Sequence, residues 1–317
     1  MGNSNLEMDR KPALNPKKRV KPSNLLYSQN IAPYFFVFPF LISFVIFFAY
    51  PVVSTVIMSF QEVLPGQVTF IGLENYKELW NPTFLKAIRN SMVYTILTLI
   101  ILIPLPLVLA VFLNSKVMFA KNMFRSITFI PALTSVVVAG IIFRLIFGQQ
   151  EGALLNSILG SFGIEPIAWL NKASTSMFTL VVLATWKWMG INILYFLAGL
   201  QNIPRELYES AEVDGASTWR KFVHITLPLL KPISIYVFTI SIYGGLSMFA
   251  ESYMLYGSNK SPNNIGLTIV GYLYQKGIEQ NNLGFGSAVG IVLLLITLII
   301  TFIQLKFFGM FKKEEAR

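Results

Sequence analysis

Residues 206–228 read ELYESAEVDGASTWRKFVHITLP, a polar and strongly punctuated stretch between two long apolar runs. Its grammar is that of two short helices joined by a glycine turn. Pro204 suits the first turn of a helix, where its missing N–H costs nothing, and Glu206 and Glu209 stand near the positive end of that helix's dipole. Asp214-Gly215 then stops it. Ser217 offers an N-cap to a second helix, in which Trp219, Phe222 and Val223 fall at i, i+3 and i+4 before Pro228 ends the pattern. The stretch is therefore expected to be a structured object.

The chain around it has 317 residues, of which 54% are hydrophobic and only 13% charged, a balance that makes a bilayer its expected solvent. Cysteine is absent, which removes disulfides, thiolate catalysis and Cys-ligated metals, and a single histidine, His224, cannot build a His-rich site. Residues 1–30 are polar and basic. The apolar run 34–58 that follows is not succeeded by a small-residue cleavage signal, so it reads as a retained first span. Further apolar runs at 91–113, 127–147, 177–200, 233–249 and 287–308 bring the expected count to six membrane helices, each near the ~20 residues that cross the hydrocarbon core. Pro104 and Pro106 predict a kink in the second. The expected organisation is a basic tail 1–30, a first helix within 31–60, an outer segment 61–90, a five-helix core 91–308 carrying the loop 204–228, and a tail 309–317.

Charge orients these spans. Lys and Arg in short loops favour the cytoplasmic side. With the N-terminus inside, seventeen basic residues fall in the inner segments, against six outside: Lys77, Lys86, Arg89, Lys172, Lys260 and Lys276. Both termini and the 206–228 stretch are then cytoplasmic. The net charge of +10 becomes a topology signal facing anionic lipid and requires no nucleic-acid partner.

Two basic residues remain inside predicted spans, where charges are expensive and by default functional candidates. Arg144 lies close enough to the outer end of its helix to snorkel. Lys187 sits deep in its span between Trp186 and Trp188. Indole faces pack on a sugar ring while ammonium, amide and hydroxyl groups bond its hydroxyls, so this triplet suits a polar cavity. The alternative reading makes the tryptophans packing residues and pairs Lys187 with a backbone carbonyl or a carboxylate. Asn192 and Tyr195 extend the face of Trp188 at i+4 and i+7. In the fifth span SIYGGLSMFAESY sets Ser247 and Glu251 near a pair of glycines, Gly244 and Gly245, which suit a close helix contact. Glu251 is a further possible partner for Lys187 or Arg144. Trp186, Lys187, Trp188, Asn192 and Ser247 form the candidate substrate path.

Motifs of nucleotide, metal or acyl-transfer catalysis are missing: there is no GxxxxGK[ST], HExxH or GxSxG, and no Cys/His metal spacing. The chain is not expected to be an enzyme, and any energy from ATP must come from a partner. A six-span, ion-coupled secondary transporter could use Lys187 and Glu251, but it would have no need for the 206–228 pattern.

That pattern carries a resemblance. The loop is similar to the EAA loop of permease subunits in ATP-binding-cassette importers: roughly EAA, three residues, G, nine residues, then I-x-LP. Glu209, Ser210 and Ala211 occupy the EAA positions, with Ser210 a small-for-small replacement; Gly215 is the glycine, and Ile225, Leu227 and Pro228 form the tail. IGLENYKELWNPTFLKAIRNS, FRSITFIPALTSVVVAGIIFRLIFG and TIVGYLYQKGIEQNNLGFGSAVGIVLL resemble the carbohydrate-uptake branch of these importers. MSFQEVLPG, IPALTS and MGINILYFLAGLQNIP look closest to its arabinose and arabino-oligosaccharide permeases in Gram-positive bacilli, with other oligosaccharides or glycerol phosphate as alternative cargo. The resemblance implies an all-α, type I importer permease fold and a coupling helix docking in an ATPase cleft, centred on Glu209, Asp214 and Gly215. It also implies a second homologous permease, two ATPase subunits and an extracellular lipid-anchored solute-binding protein. No cofactor is expected in this chain; ATP and Mg would sit on the ATPase.

Overall fold

The structure, a computed structural model, describes residues 32–115, 119–258 and 261–310. The basic tail 1–30, the end of the 309–317 tail, and Lys116 and Lys260 lie outside the described residues. By internal contacts the chain forms two units, one ending at Ser54 and one running from Thr55 to Arg317.

The first long helix, α1 (Pro33–Met58), has no buried residue. It is aromatic along its length, and Phe40, Phe44 and Phe48 stack at i+4 intervals, with centroids 6.5 and 5.1 Å apart. A π-turn at Val45–Ala49 ends with the Tyr50 N–H bonded to the Val45 carbonyl, one residue before Pro51. The widened turn moves aside the carbonyl that the proline ring would strike and could not bond.

The second unit opens with a hairpin, so the all-α expectation needs one correction. Strands β1 (Gln61–Leu64) and β2 (Gln67–Phe70) pair antiparallel, with Gln61 opposite Phe70 and Leu64 opposite Gln67. The cause is local: Pro65 presets φ and Gly66, at φ +81°, takes the position that demands a left-handed residue. A short helix α2 (Glu74–Glu78) follows, and Asn75 donates to the Ser59 and Gln61 carbonyls, both at 3.0 Å, pinning it to the hairpin.

The second apolar run belongs to a longer helix, α3 (Pro82–Asn114), capped by the Asn81 side chain and broken at Ile103, just ahead of Pro104. The third run is not one rod. It is α4 (Lys121–Leu133) and α5 (Val136–Ile146), which meet at 99° where Ser135 starts a new helix by capping the Val137 N–H. After α6 (Leu154–Gly160) comes α7 (Ala173–Gln201), the most enclosed of the long helices. The coupling stretch gives α8 (Arg205–Val213) and α9 (Thr218–Leu229), and α9 bends by 65° into α10 (Lys231–Leu246). Then come α11 (Ala250–Tyr256), α12 (Ile269–Leu273) with a π-turn at Tyr274–Glu279, and α13 (Leu283–Phe307). Four helices are long and apolar enough to cross a membrane, and up to six segments do so if each bent pair counts as one span.

Helix α7 organises the core. Its first half packs Leu180, Leu183 and Ala184 against Tyr94, Phe143 and Leu255; its second half packs Ile193, Phe196 and Leu200 against Ile103, Ala110 and Val237. In a membrane such contacts hold by close packing, since lipid tails are as apolar as leucine. Gly190 shows how close: a Cβ there would lie 2.0 Å from the Thr128 carbonyl oxygen, so α4 crosses α7 backbone to backbone.

Candidate functional site

The coupling stretch is rigid for reasons legible atom by atom. Pro204 stands at the N-cap of α8, one position before the helical turn assigned to it. The other end closes in a Schellman motif: the Ala216 N–H reaches the Ala211 carbonyl (2.8 Å), the Gly215 N–H reaches that of Glu212 (3.0 Å), and Gly215 sits at φ +75°. Ser217 caps α9 by accepting from the Arg220 N–H at 3.3 Å. Two side-chain links then tie the helices together: Lys221 Nζ to Glu212 Oε1 at 2.6 Å, and the Tyr208 and Thr226 hydroxyls at 2.9 Å. Tyr208 and Ile225 also pack against the second α7 cluster, which joins the loop to the membrane core.

One expectation changes here. Pro228 does not end its helix. A π-turn at Phe222–Thr226 bonds the Leu227 N–H to the Phe222 carbonyl and carries α9 through the proline to Leu229, with the spacing seen before Pro51. Of the apolar positions in the stretch, Trp219 is 72% exposed, tilted on Phe222 at 5.7 Å, and Val213 is 89% exposed. Glu209, Ser210, Asp214, Gly215, Leu227 and Pro228 are exposed, while Ala211 and Ile225 are half-buried. The surface presented is mixed: carboxylates, small residues and a largely exposed indole.

The candidate substrate path is less unified. Lys187, 6% exposed, donates from Nζ to the Thr134 carbonyl at 2.6 Å and lies 5.4 Å from the centroid of Trp188, which is 40% exposed. Thr134 is the residue that ends α4 at the bend, so the ammonium caps the negative end of a helix dipole. Trp186 packs on Phe143 at 5.6 Å within the apolar core. Asn192 is buried and donates to the Leu102 carbonyl at 2.8 Å. That carbonyl is the one Pro106, lacking an N–H, leaves open in α3. Ser247 ends α10 and donates to the Tyr243 carbonyl. Gly245 lets α10 approach Thr95 of α3, whereas Gly244 faces open space. Arg144 donates to the Leu255 carbonyl (3.0 Å) and to that of Met254, capping α11. The ion pairs among the described residues are Lys77–Glu74 and Lys221–Glu212, so Glu251 pairs with neither Lys187 nor Arg144. The partners Thr134, Tyr208 and Lys221–Glu212 had no signal in spacing alone; for Asn192, the paired prolines facing it were the signal.

Residues 103–308 match the family model described as "Binding-protein-dependent transport system inner membrane component". The chain belongs to this family. It is 60% identical over 291 residues to the arabinooligosaccharides transport system permease protein AraP of Bacillus subtilis (strain 168), covering 92% of this chain and 93% of that one. To AraP of Halalkalibacterium halodurans it is 53% identical over 288 residues, 91% of each chain. A crystal structure of a bacterial ABC transporter involved in import of the acidic polysaccharide alginate superposes with TM-score 0.78 over 90% of this chain and 99% of that one, at 24% identity, and shows the fold. The permease is thus an inner-membrane component of an ABC sugar importer, a transport subunit and not an enzyme. Family membership also removes the ion-coupled alternative.

Proposed function

We propose that the permease translocates arabino-oligosaccharides, as one of two homologous permease subunits served by two ATPases and an extracellular solute-binding lipoprotein. The observation that carries this reading is the braced α8–α9 pair, a stiff lever whose tip exposes Glu209, Ser210, Asp214 and Gly215 and whose root packs on the α7 core. ATP and Mg belong to the ATPase. Closure of the ATPase pair moves the lever as a body and biases the permease outward; hydrolysis resets it. Glu209 is suited to charge-assisted bonds with basic groups of the ATPase, while Ala211 and Gly215 allow close approach. The half-exposed Trp188, with Lys187 beside it and Ser247 at the end of α10, is the proposed sugar-facing surface, backed by Trp186 and Asn192. The charge bias of the loops supports six spans with both termini cytoplasmic, and the 60% identity to AraP supports the substrate class.

The test is ATPase stimulation of the reconstituted complex by a panel of sugars loaded on the cognate binding protein. Arabino-oligosaccharides are expected to stimulate more than other sugars; a flat response across the panel refutes the substrate. Gly215→Asp, which puts a side chain and a charge at a left-handed position in the lever's tip, is expected to abolish stimulation or release the ATPase.

A further inference from the structure

Along the seam between α3 and the first half of α7 runs a groove that the coupling surface does not use and that touches the proposed sugar surface only at Trp186. Its wide end is a cavity of ≈810 Å³ where Lys86, Arg89 and Asn90 meet Ser174 and Asn171. Its narrow end, ≈320 Å³, shares Ile101, Phe178 and Val181 with the wide part and reaches Trp186 and Met189. On α3 the lining residues Arg89, Val93, Leu97 and Ile101 recur every four positions, so one stripe passes from a guanidinium to bare aliphatic surface. At the helical rise this stripe is about 18 Å long, close to the depth of one leaflet, half of a roughly 30 Å hydrocarbon core.

The polar end is not saturated. Lys86 donates to the Asn263 carbonyl, and Asn90 to those of Asn264 (3.0 Å) and Leu267 (2.9 Å), which fixes the wall of the cavity. Arg89 is exposed and has no hydrogen-bond or ion-pair partner among the described residues, which leaves its fork of donors open toward the groove mouth. The narrow end offers a single side-chain hydroxyl, that of Thr185, buried and unpartnered. A sugar would shed its water there against mostly aliphatic surface, for one hydroxyl and the single indole of Trp186. Lys187 lies about 200° around α7 from Thr185, so the ammonium points away from the groove, which meets the proposed sugar surface at its tryptophan edge, where Trp186 lines the narrow end.

We propose that this groove holds one anionic glycerophospholipid, its phosphate on Arg89 beside Lys86 and an acyl chain lying along Val93, Leu97 and Ile101 toward Trp186. Guanidinium recognises phosphate through a planar fork, and the aliphatic stripe supplies the match for the chain. Native mass spectrometry of the solubilised transporter complex, incubated with phosphatidylglycerol or with phosphatidylcholine of the same chains, tests it. Phosphatidylglycerol is expected to be retained preferentially, with retention weakened about fivefold in Arg89→Gln and lost in Val93→Trp, which fills the groove. Because Arg89 is exposed and bonds to nothing in the fold, its variant should assemble normally, as size-exclusion chromatography will verify. Equal retention of the two lipids, or retention unchanged in both variants, overturns the proposal. A photo-crosslinking residue at Leu97 is expected to capture lipid; capture of a helix from the second permease, or of sugar, overturns it as well.

Discussion

Lys187 and Asn192 are each tied to a backbone carbonyl that a helix break has left open: Thr134 at the bend between α4 and α5, and Leu102 opposite Pro106. An unsatisfied carbonyl in a membrane core costs more than the bond that satisfies it contributes, so these side chains are structural before they are anything else. Lys187→Ala is expected to lower the complex's thermal midpoint and sugar uptake together while the ATPase still co-purifies; normal uptake at a normal midpoint would remove Lys187 from both roles. Asn192 permits a cleaner experiment. Asn192→Leu should destabilise by about 1 kcal/mol in the wild-type background. The penalty should shrink when combined with Pro106→Ala, because the restored N–H at 106 can reach the Leu102 carbonyl. A double-mutant cycle measured by detergent unfolding checks this, and equal penalties in both backgrounds would separate Asn192 from the proline break.

Helices here are shaped by proline and glycine as much as by hydrophobicity. Each of the π-turns at Val45–Ala49 and Phe222–Thr226 is followed, after one intervening residue, by a proline that the helix survives. Glycine sets the crossings. Gly190→Ala is expected to force α4 off α7, since the added Cβ would lie 2.0 Å from a backbone oxygen, and to lower the thermal midpoint and yield by an overpacking cost of about 1–3 kcal/mol. Gly244→Ala, which enters open space, should be silent, and a matched loss in both would show that helix propensity and not the crossing is at stake. Apolar runs and the Asp214-Gly215 stop were readable in sequence because periodicity and turn chemistry are local. The 99° bend at Ser135 was not, because the run through it stays apolar and only a Ser cap marks the change. The exposure of Trp219 was not readable either: helical spacing gives a face, and what that face meets is decided by the rest of the structure.

The orientation of the whole molecule depends on the bent pair. Between the β-hairpin and the α8–α9 lever the chain passes through α3, the α4–α5 pair and α7. Three crossings put the hairpin and the lever on opposite sides of the membrane; if the pair bent by 99° enters and leaves the same leaflet, only two crossings remain and both lie on one side. Charge favours the first arrangement, since Arg205, Arg220 and Lys221 mark the lever segment as cytoplasmic. The absence of cysteine makes the decision experimentally direct. Gln67→Cys on exposed β2 and Arg205→Cys on exposed α8 each introduce a lone thiol at a site whose side chain has no hydrogen-bond or ion-pair partner among the described residues. With a membrane-impermeant maleimide added to intact cells, the Gln67→Cys thiol is expected to label and the Arg205→Cys thiol to label only after the membrane is opened. Labelling of both from outside would make α4–α5 re-entrant and would place the lever where no cytoplasmic ATPase could reach it, so one measurement decides together whether that pair crosses the membrane and on which side the coupling surface lies.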